Sequence, residues 1–133
     1  MVKRWKRAEQ HVRDILKTEF DVSFEERVVR FGKLLKKQFD AVSTNEEILA
    51  MVKAFDRPYQ KSTAQQLKTR QDRCIVDCAW LARSSAKVKL MVFIEKDYAD
   101  WFRPYAELLF PSVEIKYLSI PKAHYNRPVL KKT

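Results

Sequence analysis

The stretch that decides the fold spans residues 87–95 and reads KVKLMVFIE. Residues 90–94 are all apolar, and the stretch has no Gly or Pro to interrupt it. A short apolar run of this kind is typical of a strand that is covered on both faces of its sheet. The sequence therefore predicts a central strand here, with other elements packed above and below it.

The residues that follow extend this strand into a larger unit. Residues 97–110 have a helical pattern that Pro104 either kinks or divides, and residues 113–118 alternate between apolar and polar side chains as a strand does. A strand, a helix and a second strand within so few residues predict a parallel pair joined by a right-handed crossover.

The N-terminal half has helical periodicity throughout. Residues 1–20 predict an amphipathic basic helix, and a second helix is expected to begin at a capping box of Ser23 and Glu26 and to contain Gly32. A third is expected after Ser43 and Thr44. The expected fold class is α+β, with a helical N-terminal half packed on a small mixed sheet that contains the βαβ-like C-terminal unit.

Residues 62–83 allow two interpretations. As a helix, the segment begins with a capping box of Ser62 and Gln65 and places Cys74 and Cys78 on one apolar face. As loop plus strand, residues 73–82 supply β-branched and aromatic side chains. We favour the helix. Residues 1–120 are expected to form a single compact domain, and residues 121–133 a basic C-terminal tail.

Composition excludes several classes of function. Gly32 is the only glycine among 133 residues, so there is no room for glycine-rich nucleotide-binding loops. Two cysteines and two histidines make neither a disulfide framework nor a recognisable zinc set. No signal peptide or membrane-spanning stretch is recognised, so a reducing, cytoplasmic location without a membrane partner is expected. No cofactor, metal site or catalytic residue is predicted.

Charge is the most informative feature of the sequence. The 27 Lys and Arg residues exceed the 17 Asp and Glu residues by ten. The excess is concentrated in residues 1–20, 57–73 and 121–133, and a basic ridge is expected on the second predicted helix. Such a distribution suits a polyanion, because each cation near a phosphate releases condensed counterions.

The sequence therefore predicts a small nucleic-acid-binding accessory protein, for DNA or RNA, that contacts mainly the phosphate backbone without catalysis. Aromatic side chains among the cations are expected to stack on unpaired bases. The predicted contact residues are Lys3, Arg4, Lys6, Arg7, Arg27, Arg30, Lys33, Lys37, Tyr59, Lys61, Lys68, Arg70, Lys122, Tyr125, Arg127, Lys131 and Lys132. An alternative is an interaction or inhibitor protein that docks on an acidic protein surface.

A second alternative is a magnesium-dependent nuclease. Asp77, Glu95 and Lys96, together with Glu9, resemble the carboxylate-plus-lysine set of the PD-(D/E)xK nuclease superfamily. That resemblance implies acids that hold magnesium beside the scissile phosphate. The sequence departs from the motif, since Lys96 directly follows Glu95 instead of standing one residue further on, and adjacent strand residues point to opposite faces.

A further acidic group lies at the carboxyl end of the predicted central strand. Glu95, Asp97 and Asp100 stand where open α/β sheets place ligands, and their carboxylates could bind one magnesium ion. The structural alternative is that Asp97 or Asp100 caps the following helix while Glu95 pairs with nearby lysines. We favour the structural alternative.

Overall fold

The computed structural model describes residues 4–120, which form three helices and one five-stranded mixed sheet. The helices are α1 (Arg4–Phe20), α2 (Ala64–Arg83) and α3 (Lys96–Leu109), and a short 3-10 turn (Tyr59–Lys61) precedes α2. The strands are β1 (Phe24–Phe31), β2 (Leu35–Ser43), β3 (Ile48–Lys53), β4 (Val88–Phe93) and β5 (Glu114–Tyr117).

Strand order in the sheet follows the sequence, from β1 to β5. The first three strands are antiparallel neighbours, whereas β3, β4 and β5 are parallel. Helix α1 covers one face of the sheet, where it buries Val12 and Leu16 against Ala50 and Val92. Helices α2 and α3 cover the other face, where Met51 and Phe93 are buried. The sheet is thus the middle of three layers.

The C-terminal half confirms the predicted unit. Strand β4 is flanked by parallel partners, and α3 connects it to β5. Helix α3 continues through Pro104. The α+β class is confirmed, and the segment that allowed two interpretations is helix α2. Its capping box joins Thr63 and Gln66, one residue later than the sequence suggested.

The prediction of a helical N-terminal half is wrong beyond α1. The second predicted helix is the β1–β2 hairpin, and the third is replaced by strand β3. Gly32 accounts for the first difference, because its φ of +72° places it in the left-handed region, which suits a hairpin turn and not a helix interior. Glu46, which follows Ser43 and Thr44 where the third helix was expected, likewise has a φ of +60° in the turn that leads to β3.

None of the helices within residues 4–120 combines the length and the apolar character that crossing a lipid bilayer requires.

The conformation of Gly32 predicts the sign of a substitution. A Cβ added there would meet no heavy atom within 4 Å, so only the positive φ opposes a side chain. We expect Gly32→Ala to lower the free energy of unfolding by about 1 kcal/mol. Gly32→Asn should cost less, since Asn tolerates this conformation better. Urea unfolding measures both, and a stabilised Gly32→Ala protein, as a helix interior would give, would contradict the hairpin.

Candidate metal centre

Three carboxylates from three different elements converge on the face of the sheet that α1 covers. Glu9 comes from α1, Glu26 from β1 and Asp40 from β2, and one oxygen of each lies within 4.8 Å of the others. Among residues 4–120, no other set of three or more His, Cys, Asp or Glu side chains brings its ligand atoms this close. We refer to Glu9, Glu26 and Asp40 as the acid triad.

A β-bulge explains how Asp40 reaches this face. Glu25 pairs with Val42, whereas Arg27 pairs with Phe39, so Asp40 and Ala41 together oppose the single residue Glu26. A bulge of this kind bends the strand and changes the direction of a side chain. Without it, Asp40 and Ala41 would point to opposite faces; with it, Asp40 joins Glu26 while Ala41 packs in the core beneath α1.

Two hydrogen bonds hold the bulge in place. The carboxylate of Asp40 accepts the backbone N–H of Val52 at 2.7 Å, and the Asp40 carbonyl accepts a guanidinium N–H of Arg13 at 2.7 Å. Strands β2 and β3 pair only at Ala41–Ala50 and Val42–Leu49. Beyond these pairs, the Asp40 side chain takes the place of a backbone hydrogen-bond acceptor. Asp40 therefore stands where the two strands separate, a position we call the fork.

Burial sets the electrostatics of the acid triad. Glu9 is only 8% exposed, and burial, reinforced by the negative charge of Asp40, raises its pKa to about 7. Burial also raises the pKa of Asp40, although the Val52 hydrogen bond opposes that shift. Glu26 differs, because a hydrogen bond from Lys6 at 2.9 Å lowers its pKa. Two members of the acid triad are thus costly to ionise where they stand.

One buried oxygen of the acid triad lacks a hydrogen bond. Glu9 Oε1 has no hydrogen-bond partner among residues 4–120, and its nearest cation, Lys6 Nζ, is 3.6 Å away. Buried carboxylate oxygens normally have such a partner. Hard divalent cations prefer oxygen ligands, and oxygens on opposite sides of such an ion are separated by about 4 Å for Mg²⁺ and about 5 Å for Ca²⁺. The donor set and spacing of the acid triad fit a cation of this class.

Lysines and an acid occupy the other side of the fork. Lys53, the last residue of β3, forms an ion pair with Asp77 of α2, and Lys37 of β2 lies 3.3 Å from the same carboxylate. These three residues line an open cavity of about 410 Å³. Burial tends to lower the pKa of Lys53, but the charge of Asp77, with smaller contributions that include Asp40, raises it overall. Lys53 is therefore a cation whose charge is felt at the acid triad.

The predicted nucleic-acid-binding residues on the hairpin do not form a helical ridge. Arg27 pairs with Glu46 at 3.0 Å, and Lys37 pairs with Asp77, so both are engaged within the protein. Arg30 and Lys33 are exposed. The ridge prediction is wrong because residues 24–43 are two strands, which separate side chains that a helix would have aligned.

In the central basic segment, residues 57–73, some predicted contact residues are engaged within the protein and others are exposed. Arg70 donates to the hydroxyls of Ser62 and Tyr98, both at 2.7 Å, and lies over the ring of Phe55. Tyr59 packs edge-on against Tyr98 with ring centroids 5.5 Å apart. Arg70 and Tyr59 are therefore engaged in contacts within the protein. Lys61 and Lys68 are exposed, and Lys68 pairs with Asp72 at 2.8 Å.

The remaining predicted contacts belong to the two ends of the chain. Lys6 binds Glu26 of the acid triad, and Arg7 is half-buried. Arg4 begins α1. The other predictions lie outside the residues that the structure describes, namely Lys3, Lys122, Tyr125, Arg127, Lys131 and Lys132.

The sequence-based nuclease set is redistributed. Glu9 belongs to the acid triad, and Asp77 pairs with Lys53. Lys96 forms an ion pair with Asp100 at 2.7 Å. Glu95 is the N-cap residue of α3, and Asp97 accepts a hydrogen bond from Gln60. The expected cap by Asp97 or Asp100 is wrong, because Glu95 holds the N-cap position without a side-chain capping hydrogen bond and Asp100 pairs with Lys96 and Arg103. The three acids after β4 also do not bring their oxygens together as a shared magnesium ion would require.

Sequence reasoning missed Glu26, Asp40 and Lys53. In the sequence, Glu26 fits a capping box, and no pattern distinguishes Asp40 or Lys53 from the other charged residues. The available signal was Gly32 between two runs rich in β-branched and aromatic residues, which predicts a hairpin when it is read as a turn. Comparisons of the chain with protein families, with curated proteins and with solved structures find no match.

The raised pKa of Glu9 predicts how stability depends on pH without added metal. The folded protein keeps a proton on Glu9 up to about pH 7, whereas the unfolded chain loses it near the ordinary value of 4.5. The folded state therefore binds more protons between these values, and the free energy of unfolding falls as pH rises through that window. Glu9→Gln should abolish most of this fall and stabilise the protein at pH 8 by on the order of 2 kcal/mol.

Chemical denaturation in EDTA at pH 4.5 and at pH 8 measures this effect. The matched control is Glu107→Gln, which alters an exposed glutamate on α3 and should leave the pH dependence unchanged. An equal fall in stability in wild-type protein and Glu9→Gln would contradict the account of the acid triad.

Proposed function

We propose that this chain is a nucleic-acid-binding protein that cleaves phosphodiester bonds with the help of a divalent cation. The observation that carries the proposal is the convergence of Glu9, Glu26 and Asp40, with one buried oxygen left without a hydrogen bond. A buried carboxylate oxygen without a hydrogen bond carries a cost in free energy. Glu95 Oε1 is in the same state outside the acid triad, so the convergence of three carboxylates is what distinguishes this place.

The residues of the fork have complementary roles in this proposal. Glu9, Glu26 and Asp40 would hold the cation. When bound, the cation supplies Lewis-acid polarisation of a phosphoryl oxygen and a more acidic water. Lys53, paired with Asp77 on the side of the sheet that α2 covers, would contribute positive charge to the site across the fork. Water adds to phosphorus, one P–O ester bond breaks, and the departing oxygen takes up a proton, leaving a phosphomonoester and a hydroxyl group.

Of the residues that resembled the PD-(D/E)xK nucleases in the sequence, only Glu9 belongs to the acid triad. The proposal therefore rests on the acid triad and Lys53, which do not complete that motif. The motif calls for an acid two residues before the lysine, and Met51 stands there. Met51 is buried in the core, so it cannot serve as a ligand. Glu26 of the acid triad supplies a third carboxylate from another strand.

A second candidate function is nucleic-acid binding without cleavage. Two observations favour it: Met51 replaces the expected acid, and Lys6 already places a positive charge 2.9 Å from Glu26 and 3.6 Å from Glu9. In either case the exposed cations would contact phosphates. The free, buried Cys74 and Cys78 suit a reducing compartment, which supports the proposal of a cytoplasmic location.

A cleavage assay separates the two candidates. Labelled single-stranded and duplex DNA and RNA are incubated with the full chain in Mg²⁺, in Mn²⁺ or in EDTA. We expect cleavage only with a divalent cation, and a loss of at least about 100-fold in Asp40→Asn and in Lys53→Met, because each removes a charge that stabilises the transition state. Asp100→Asn is the matched control, since it alters an exposed acid on α3 and should keep full activity.

Circular dichroism and the binding affinity for each substrate show whether a variant is folded. Binding that weakens with salt, with no cleavage in any cation, would overturn the nuclease proposal in favour of binding alone. Cleavage that persists in folded Asp40→Asn would overturn the assignment of the acid triad.

A further inference from the structure

The tip of the β1–β2 hairpin exposes apolar side chains that the core does not use. Leu34 in the turn is 93% exposed, and Leu35 and Val28 on the strands are 59% and 48% exposed. Gly32, with its positive φ, begins this turn. A leucine so fully exposed contributes nothing to the folded core, so its place at the tip calls for another explanation.

The same hairpin carries unopposed positive charge. No acid occurs between residues 30 and 39, which read RFGKLLKKQF. Arg30, Lys33 and Lys36 are exposed, and within the described part of the chain no hydrogen bond or ion pair engages their side chains. Exposed leucine flanked by free cations fits a partner that combines dense negative charge with apolar surface between its charged groups.

The sheet register places these cations on the same face as the acid triad. Glu26 belongs to the acid triad, and Val28 and Arg30 follow it on the same face of β1 at two-residue intervals. On β2, Lys36 pairs with Arg30 and Gln38 pairs with Val28. The other face of β1 carries Val29 and Phe31, which pack against the core beneath α2. The face shared with the triad therefore leads from the acids to exposed cations and ends at the tip.

We propose that the hairpin is an arm that engages B-form DNA, with Arg30, Lys33 and Lys36 on phosphates and Leu34 inserted against a base step. This inference rests on the proposed nucleic-acid function. A two-stranded ribbon fits a DNA groove, and apolar wedges such as leucine partly unstack base steps in architectural proteins. Duplex RNA is a poorer fit, because its deep groove is too narrow to read and its wide groove is shallow.

Binding of the full chain to a 30-base-pair DNA duplex, measured in EDTA by fluorescence anisotropy, tests the arm without requiring cleavage. Leu34→Ser should weaken binding about tenfold through the loss of apolar contact. The double variant Arg30→Gln, Lys36→Gln should lower the slope of log affinity against log salt by about 2. The matched controls are Leu108→Ser, which alters a leucine 81% exposed on α3, and Lys87→Gln; both should bind as wild type.

A 2-aminopurine placed in the duplex reports insertion directly. Its fluorescence should rise with wild-type protein and with Leu108→Ser, but not with Leu34→Ser. Wild-type affinity in the hairpin variants, equal affinity for an RNA duplex of the same sequence, or Leu34-dependent binding to anionic lipid vesicles in place of DNA would each overturn the proposed arm.

The failure of the arm and the failure of the nuclease proposal give different results. If the hairpin variants bind as wild type while Asp40→Asn loses cleavage, the arm is wrong and the nuclease proposal stands. If DNA binding depends on the hairpin but no cleavage occurs, the nuclease proposal is wrong and the arm stands.

Discussion

The hydrogen bond from the Val52 amide to the Asp40 carboxylate determines how the rest of the site is built. It replaces a backbone hydrogen bond between β2 and β3 at the point where the two strands separate. The bulge, in which Asp40 and Ala41 oppose one residue of β1, gives β2 one more residue than its partner strand. Through this bulge a carboxylate that would otherwise face α2 lies beside Glu9 and Glu26. Because Arg13 satisfies the Asp40 carbonyl, α1 is tied to the same point.

Opposite charges are therefore held on either side of one fork. The acid triad lies beneath α1, where burial raises the pKa of Glu9 and of Asp40. Lys53 and Lys37 share Asp77 on the side of α2. The charge of Lys53 acts on Asp40 across the fork and opposes the rise of its pKa. In the proposed function, this positive charge and the unopposed cations of the hairpin would attract a phosphate group.

The sequence predicted the fold well where periodicity and punctuation agreed. The apolar run of β4, the helix α3 and the alternating β5 each carried one pattern, and their parallel arrangement followed from the short connections. The predicted secondary structure of residues 24–39 was wrong because their apolar side chains fit a helical spacing as well as two strands. These side chains are Phe24, Val28, Phe31 and Leu35. Gly32 marks a weak point in a helix or a turn between strands, depending on which interpretation is chosen. The acid triad could not be predicted for the same reason, because it depends on a β-bulge. A bulge is a property of strand pairing that no single stretch of sequence displays.

Anomalous scattering from a crystal grown or soaked in Mn²⁺ is the most direct test of the central claim. Manganese prefers the same oxygen ligands as magnesium and can be located independently of the protein. One anomalous peak is expected within bonding distance of carboxylate oxygens of Glu9, Glu26 and Asp40, with the Lys6 ammonium moved away from Glu26. A well-ordered fork that shows no peak at saturating Mn²⁺, with Lys6 still bound to Glu26, would contradict it.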